Sequence, residues 1–383
     1  MERKARILHV YKDIWPPVVG GIEKHIHDVC VGLRSEFDFT VMVACDRVSC
    51  HWAEVDGIPV FKVGTFGRFA AAPLCPMFPF RLRRLARDAD IIHYHLPNPT
   101  GELSHLLARP RARAVATYHS DIVRQQWALA FYAPCLRAFL RRMDVILPTT
   151  ERYIETSAFL APLRDRCKAI PLGIDTAACR ATPEIASAAR RIRARYGNCP
   201  LIGFVGRLRA YKGLPYLIDA LTDIQPHEAQ VLIIGDGPMR APIEALKKQR
   251  GVTGRVHLLG ELSDSEVIAH LHAIDVFCLP SHLRSEAYGL AQIEAMACGK
   301  PVVSCNLDTG VPWVNQDGIT GFVVAPMAPQ ALAQALTRLL MDPQLKQRMG
   351  EDARRRATQM FDRAIMLRKL ARVYRDVAKS TMP

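Results

Sequence analysis

Residues 275–305 read DVFCLPSHLRSEAYGLAQIEAMACGKPVVSC. Two short apolar runs, 275–280 and 301–305, flank a polar loop and a stretch from Leu290 to Cys298 that is apolar on all sides but for a glutamine and a glutamate. An all-round apolar helix is a buried one, and Gly299 with Pro301 just beyond marks its end. Strand, loop, buried helix and strand form the repeating element of a parallel sheet. Glu286 lies in the loop and Glu294 on the helix. Burying a carboxylate is costly unless something polar meets it. The helix start offers free N–H groups and the positive end of a dipole to an anion such as phosphate. Glu294 follows that start by roughly 7 Å at about 1.5 Å per residue. A ligand with phosphate at the helix start and hydroxyls on either side satisfies both glutamates. The competing arrangement pairs Glu294 with a core arginine and leaves Glu286 as a helix-start carboxylate.

The same alternation runs along the chain. Candidate strands fall at 6–11, 39–45, 60–63, 90–95, 114–119, 144–149 and 168–173, then at 201–206, 230–235, 255–260, 275–280, 301–305 and 321–325. Many are apolar at nearly every position, as strands covered on both faces are. The stretch 175–200 is polar, basic and strand-free. The expected fold class is α/β, with two doubly wound Rossmann-like domains facing each other across a cleft at the carboxyl ends of their strands. Their expected bounds are 1–180 and 199–362, with a linker at 181–198 and a last helix at 363–383 packing back on the first domain.

The 383 residues are 49% hydrophobic and 23% charged, which excludes a disordered or fibrous chain. No apolar run approaches the roughly 20 residues of a bilayer span. The opening MERKARILHVYKDIW reads as a first strand rather than a signal peptide. Eleven cysteines are scattered without a Cys-x-x-Cys pair, so reduced thiols and a cytoplasmic setting are expected. Cys45, Cys50 and His51 come nearest to a metal cluster but lack a second ligand pair and read as a loop. Net charge is +14, which favours acidic partners. Between Arg81 and Arg142 there are eleven basic residues against four acids. No helix-turn-helix, zinc-finger or RRM-type pattern accompanies this charge, so no nucleic acid is expected. An anionic membrane surface is the expected partner, met by the basic, apolar segment 73–87 and the helix pattern at 125–143.

Other loops carry chemistry. In FVGRLRAYKGL, 204–214, a buried strand ends at Gly206, and Arg207 and Lys212 precede Gly213. A guanidinium fork and an ammonium so spaced suit a diphosphate, although solvated surface cations explain the loop taken alone. IIGDGPMR, 233–240, follows another strand, and turn chemistry suffices for it. Gly20 and Gly21 precede a helix after the first strand, without the G-x-G-x-x-G of a dinucleotide oxidoreductase. TYHSD, 117–121, sets His119 and Asp121 at a strand end, where His119 is either catalytic or a satisfied structural group. Asp88–Asp90 read as a helix end and strand start, and Asp264–Glu266 as a helix cap and first turn. No divalent metal site and no other cofactor is expected.

The ordered set GGIE, TYHSD, PLGID, GRLRAYKG, GDGP, LLGEL and SEAYGLAQIEAMACGKPVV resembles glycosyltransferase family 4, retaining enzymes of the GT-B fold, over nearly the whole chain. The resemblance implies a nucleotide-sugar-dependent hexosyltransferase. It implies that Glu286 holds the donor sugar and Glu294 the ribose, and that Arg207 and Lys212 neutralise the diphosphate leaving group. The N–H groups of Tyr288, Gly289 and Leu290 would assist them, and Tyr288 stands where many relatives carry Phe. His119 would touch the donor sugar near the reacting carbon, and Gly20, Gly21, Gly206 and Glu261 complete the donor-binding set. YHSDIVRQ, RSEAYGLAQIEAMACGKPVV and TGVPWVNQDGITG are similar to bacterial mannosyl- and rhamnosyltransferases of surface-polysaccharide assembly. That implies GDP-mannose as donor and a glycan or lipid-diphosphate-linked acceptor at the inner face of the cell membrane. A UDP-hexose donor and a nucleotide-sugar epimerase are the alternatives. Glu286→Ala and Lys212→Ala are expected to abolish transfer and leave the fold intact.

Overall fold

The computed structural model describes residues 3–16, 18, 20–69, 72–121 and 126–379. It divides into two compact units, one of residues 1–172 with 365–383 and one of residues 173–364.

The sheet of the first unit contains β1 (Ala5–Val10), β2 (Phe37–Ala44), β3 (His51–Val55), β4 (Ile58–Val63), β5 (Ile91–Leu96), β6 (Arg113–Tyr118) and β7 (Val145–Pro148). Their order is β3-β4-β2-β1-β5-β6-β7, parallel except for β3. Between β1 and β5 the order turns from running backward to running forward along the chain. The carboxyl ends of the strands flanking such a reversal are where open α/β sheets bind ligands. All six residues of β5 are buried, His93 and His95 among them, as in a strand covered on both faces.

Two expectations fail here. The segment 168–173 is no strand; Lys168 and Ile170 donate to the carbonyls of Ile146 and Pro148 beside β7, and Pro171 supplies no N–H to continue. β3 was not expected, because HWAEV carries too few apolar residues to read as a run. It is the outer strand of a hairpin with β4. Asp56 and Gly57 turn it with φ of 49° and 80°, the left-handed pair that an Asp-Gly turn supplies.

Helices α1 (Gly21–Leu33), α2 (Phe78–Leu85) and α3 (Pro99–Ala108) belong to this unit. The C-terminal helix Arg363–Lys379 buries Met366, Leu370, Ala371, Val373, Tyr374 and Val377 on one stripe. Leu367 uses the room left by Gly32 of α1, where a Cβ would lie 2.5 Å from its Cδ1.

The second unit holds β8 (Leu201–Val205), β9 (Gln230–Ile234), β10 (Val256–Gly260), β11 (Val276–Leu279), β12 (Val302–Cys305) and β13 (Gly321–Val324). They form one parallel sheet in the order β10-β9-β8-β11-β12-β13, reversing between β8 and β11. The stretch 181–198, expected to be a linker, is instead helix α4 (Pro183–Arg195) of this unit. Thr182 caps it by accepting from the Ile185 N–H, with Pro183 in the first turn. Arg193 of α4 donates to the Ala273 carbonyl at 2.6 Å and to Asp275 at 3.1 Å. Asp275 also receives Lys346 and the Leu201 N–H. Burial pushes its carboxyl up, and these donors outweigh burial and hold it below the ordinary value. The basic composition that suggested a tether is thus partly spent on clamping α4 to the start of β11. The buried helix of the opening stretch is α5 (Leu290–Ala297), its N-cap at Gly289.

At the start of α3, the Asn98 N–H donates to Glu102 Oε1 at 2.8 Å, while Oε2 is buried without a partner among the described residues. Burial pushes this carboxyl up to about 8 from an ordinary 4.5, only partly offset by the Asn98 N–H. The folded protein therefore keeps a proton that the unfolded chain has released, so this group lowers stability as pH rises from about 5 to 8. Glu102→Gln is expected to flatten that limb of a melting-temperature profile; an equally steep limb in the variant would refute the assignment.

Candidate active site

In the second unit, the loops after β8, β9, β10 and β11 are stitched together at the carboxyl edge of the sheet. Gly206 N–H donates to the Ile234 carbonyl at 3.0 Å, and Gly235 N–H to the Gly260 carbonyl at 2.7 Å. Leu208 donates to the Asp236 carbonyl and His282 to that of Tyr211. Glycine is required where backbones touch. A Cβ on Gly213 would lie 2.0 Å from the Pro280 carbonyl oxygen, and one on Gly235 would lie 2.2 Å from that of Gly206.

This packing brings together two residues the sequence keeps far apart. Lys212 Nζ lies 2.6 Å from Glu286 Oε2, with the residues 9% and 6% exposed. Burial lowers the ammonium's pKa, but the Glu286 carboxylate, Tyr211 and the shared hydrogen bond together hold it above its ordinary value. Ser281 Oγ–H donates to the same Oε2 at 2.8 Å. Among the described residues Oε1 of Glu286 has no hydrogen-bond partner, so one carboxylate oxygen remains for a ligand. Lys212 Nζ sits 3.5 Å from where a Gly206 Cβ would be, so the ammonium lies directly over bare backbone. Two of its three N–H groups remain for an anion.

Arg207 is exposed and has no ion-pair partner among the described residues. Glu261 is exposed just beyond β10, and Glu294 is half-buried on α5. Gly289 starts α5 with φ of 74° and no side chain caps the helix. Tyr288 has its ring buried near Trp313 and Phe361. Leu290 is the first residue of α5. Gln292 is fully buried, donates to the Tyr288 carbonyl at 2.7 Å and keeps Oε1 unpartnered. It braces the loop that holds Glu286, and nothing in its spacing drew notice to it.

In the first unit, Gly20 caps α1 and Gly21 begins it. The space a Gly20 Cβ would occupy is held by the Glu23 carboxylate, 2.1 Å away. That glycine is therefore explained by its own helix start. His119 is buried beyond β6 and is not alone. His9 on β1, His93 and His95 on β5, and His25 on α1 surround it. Asp121 accepts from Tyr118 and Ser157 and holds the loop. Residues 122–125 lie outside the described residues. Two histidine triads, His9–His93–His95 and His25–His95–His119, each have nitrogens within 4.8 Å of one another. Local spacing does not show them, because the rings come from two strands, the loop after a third and a helix. The visible signal was histidine recurring near the ends of apolar strands, in RILHVY, IIHYH and TYH. Cys45 instead donates to the carbonyls of Arg47 and Ser49, and Cys50 accepts from the Gly64 N–H, within the loop. None of the eleven cysteines forms a disulfide.

Family models match almost end to end: Glycosyltransferase Family 4 over residues 19–178 and Glycosyl transferases group 1 over residues 187–356. The chain is a member of glycosyltransferase family 4. It is 32% identical over 380 residues to O-antigen chain mannosyltransferase C of Escherichia coli, covering 98% of this chain and 99% of the relative. It is 34% identical over 359 residues to the D-rhamnosyltransferase WbpZ of Pseudomonas aeruginosa, covering 93% and 92%. Among solved structures, Anabaena HepE in complex with UDP and glucose superposes with a TM-score of 0.78 at 21% identity, covering 97% of this chain and all of that one. Sucrose-phosphate synthase of Thermosynechococcus elongatus superposes at 0.80 and 20%, covering 99% and 100%. The fold is GT-B, built of two Rossmann-like α/β domains, and the family-4 enzyme is a hexosyltransferase dependent on a nucleotide sugar.

The buried ion pair revises the expectation that Lys212→Ala leaves the fold untouched. Removing one partner strands the other charge, at a cost of about 3–5 kcal/mol. Lys212→Ala is expected to lower the melting temperature by roughly 10 °C, with much of that recovered when Glu286→Gln is added. A change of less than about 2 °C in the single variant would show that the pair is not held dry.

Proposed function

We propose that this enzyme transfers mannose from GDP-mannose, with retention of configuration and without a metal ion, to a glycan or lipid-diphosphate-linked saccharide in surface-polysaccharide synthesis. The observation that carries the site assignment is the Lys212–Glu286 pair at the sheet reversal. The choice of sugar rests on the end-to-end likeness to an O-antigen mannosyltransferase.

The chemistry follows from the groups present. Breaking the bond between the sugar's anomeric carbon and the diphosphate oxygen leaves negative charge on the diphosphate. Arg207, the two free N–H groups of Lys212 and the N–H groups at the start of α5 stabilise that charge as it develops. Oε1 of Glu286 accepts from a sugar hydroxyl, and Glu294 and Glu261 take hydroxyls of the nucleotide portion. The acceptor oxygen bonds to the anomeric carbon on the face the diphosphate leaves, and its proton passes to a diphosphate oxygen. Gly206 keeps backbone bare beneath the phosphates. His119, with Gly20 and Gly21, is the first unit's contribution to sugar binding.

Glu286→Gln is expected to lower kcat by about 10²–10³-fold while GDP still raises the melting temperature. Wild-type transfer is expected to persist in EDTA. A thermal shift with UDP-sugars and none with GDP or GDP-mannose would overturn the donor, and normal turnover of Glu286→Gln would overturn its role.

The first unit also suits an anionic bilayer surface. Phe66, Leu74, Met77, Phe80, Leu103 and Leu107 are exposed on and beside α2 and α3, Phe80 by 68%. Arg83, Arg87, Arg109 and Arg111 line a groove of about 590 Å³ together with Asp90. Of the expected membrane helix at 125–143, Gln125 and the side chains of 126–131 lie outside the described residues. Among the described residues no helix is long and apolar enough to cross a membrane. Co-sedimentation with phosphatidylglycerol vesicles is expected to fall severalfold on replacing Phe80 and Arg83 by Glu. Failure of the wild type to bind at about 0.1 M salt would sink the docking assignment.

A further inference from the structure

His9, His93, His95, Thr117 and His119 share one face of the first unit's sheet, since β1 pairs His9 with His93 and β6 pairs Thr117 with His95. Tyr374 of the C-terminal helix meets them on that face. The polar atoms form one chain of contacts. Thr117 Oγ1 lies 2.7 Å from His93 Nε2, and His93 Nδ1 lies 2.6 Å from the Tyr374 hydroxyl. That hydroxyl lies 3.4 Å from His9 Nε2. His9 Nδ1 lies 2.8 Å from His95 Nε2, and His95 Nδ1 lies 3.1 Å from His119 Nε2. His119 Nδ1 ends the chain, buried and without a partner among the described residues.

We propose that Tyr374, acting through His9 and His95, locks His119 as the Nε2–H tautomer, so that its bare Nδ1 is an acceptor for a hydroxyl of the carbohydrate substrate. The tautomer assignment needs only the hydrogen-bond chain; the ligand assignment rests on the glycosyl-transfer reading.

Every ring in the chain is neutral. Burial lowers His9 to about 3, and it lowers His93, His95 and His119 well below the ordinary histidine value. A neutral imidazole has one N–H and one lone pair, so each ring transmits the polarity of its neighbour. The polarity is set at Tyr374, whose hydroxyl has a single proton and two nitrogen neighbours. A phenol is the better donor and an imidazole nitrogen the better acceptor, so the proton lies in the 2.6 Å contact to His93 Nδ1. His93 then carries its proton on Nε2 and donates to Thr117. The phenol oxygen accepts from His9 Nε2–H. His9 Nδ1 is therefore a lone pair, filled by His95 Nε2–H, and His95 Nδ1 is filled by His119 Nε2–H. The opposite polarity would put the phenol proton into the 3.4 Å contact. It would also strand an N–H on His119, and an orphaned buried donor is the rarer arrangement.

The contact lengths suit hydrogen bonds between the rings rather than a shared metal ion. Two nitrogens bound at about 2.0–2.1 Å to one tetrahedral ion stand about 3.3–3.4 Å apart, whereas the linked rings approach to 2.8 and 3.1 Å. His25 packs edge-on against His95 and His119, with ring centroids 5.7 and 5.4 Å away.

The test is long-range ¹H–¹⁵N correlation on the ¹⁵N-histidine-labelled full chain, with His119 assigned by the signals lost in His119→Asn. The wild type is expected to show a protonated Nε2 and an unprotonated Nδ1 at His119. Tyr374→Phe is expected to make the Nδ1–H form of His119 appear and to lower kcat/KM about fivefold, the worth of one neutral hydrogen bond. A purely structural role for the hydroxyl would leave the tautomer unchanged. A wild-type His119 protonated on Nδ1 overturns the proposal, as does stoichiometric zinc in the purified protein or an unaltered tautomer in Tyr374→Phe. If Tyr374→Phe fails to fold, the wild-type spectrum decides alone. The expected tautomer pattern in a protein that transfers no sugar would leave the lock standing and overturn the functional reading.

Discussion

A parallel sheet covered on both faces has nowhere to hold polar chemistry except at the ends of its strands. Both units obey this constraint, and most of the molecule follows from it. Their central strands are buried nearly throughout, and apart from the histidines and threonine on β1, β5 and β6 their side chains serve packing. The loops after the carboxyl ends escape that demand. Where strand order reverses, between β1 and β5 and between β8 and β11, adjacent loops leave toward opposite faces of the sheet and open a crevice. His119, with its ring chain, lies by the first reversal, and Lys212 and Glu286 lie at the second.

The two units answer the cost of burying polar groups differently. In the second, a full positive charge and a full negative charge compensate each other in Lys212–Glu286, with Ser281 satisfying part of the carboxylate. That arrangement suits a site whose ligand carries both hydroxyls and phosphate, because each can take up valence that the ion pair leaves open. In the first, no charge is buried among the rings. Burial keeps the histidines neutral, and each satisfies its neighbour by sharing one proton. Neutral rings avoid the desolvation penalty of ions, yet they still carry direction from one end of the chain to the other.

Much of the fold was legible from local pattern. Apolar runs located twelve of the parallel strands, and the bounds of α5 could be set from Gly289 and Gly299 because glycine ends and starts of helices are local events. Local pattern failed where a segment's state depends on distant partners. HWAEV is a strand because β4 offers an edge after the Asp56–Gly57 turn. The stretch 168–173 resembles a strand yet only borders β7. Basic α4 read as a tether because the carbonyl and carboxylate that hold Arg193 lie about eighty residues away.

The sequence by itself determined the alternation of strands and helices, the glycine positions where backbones must touch, and the residue types available at the strand ends. These depend on neighbours within a few residues, where periodicity and turn chemistry act. Only the tertiary structure decided that Lys212 meets Glu286 and that Gln292 braces their loop. It alone brought a tyrosine 365 residues from His9 to the head of a histidine chain. Such contacts are set by strand order and by the packing of segments remote in the chain, and no local spacing records them.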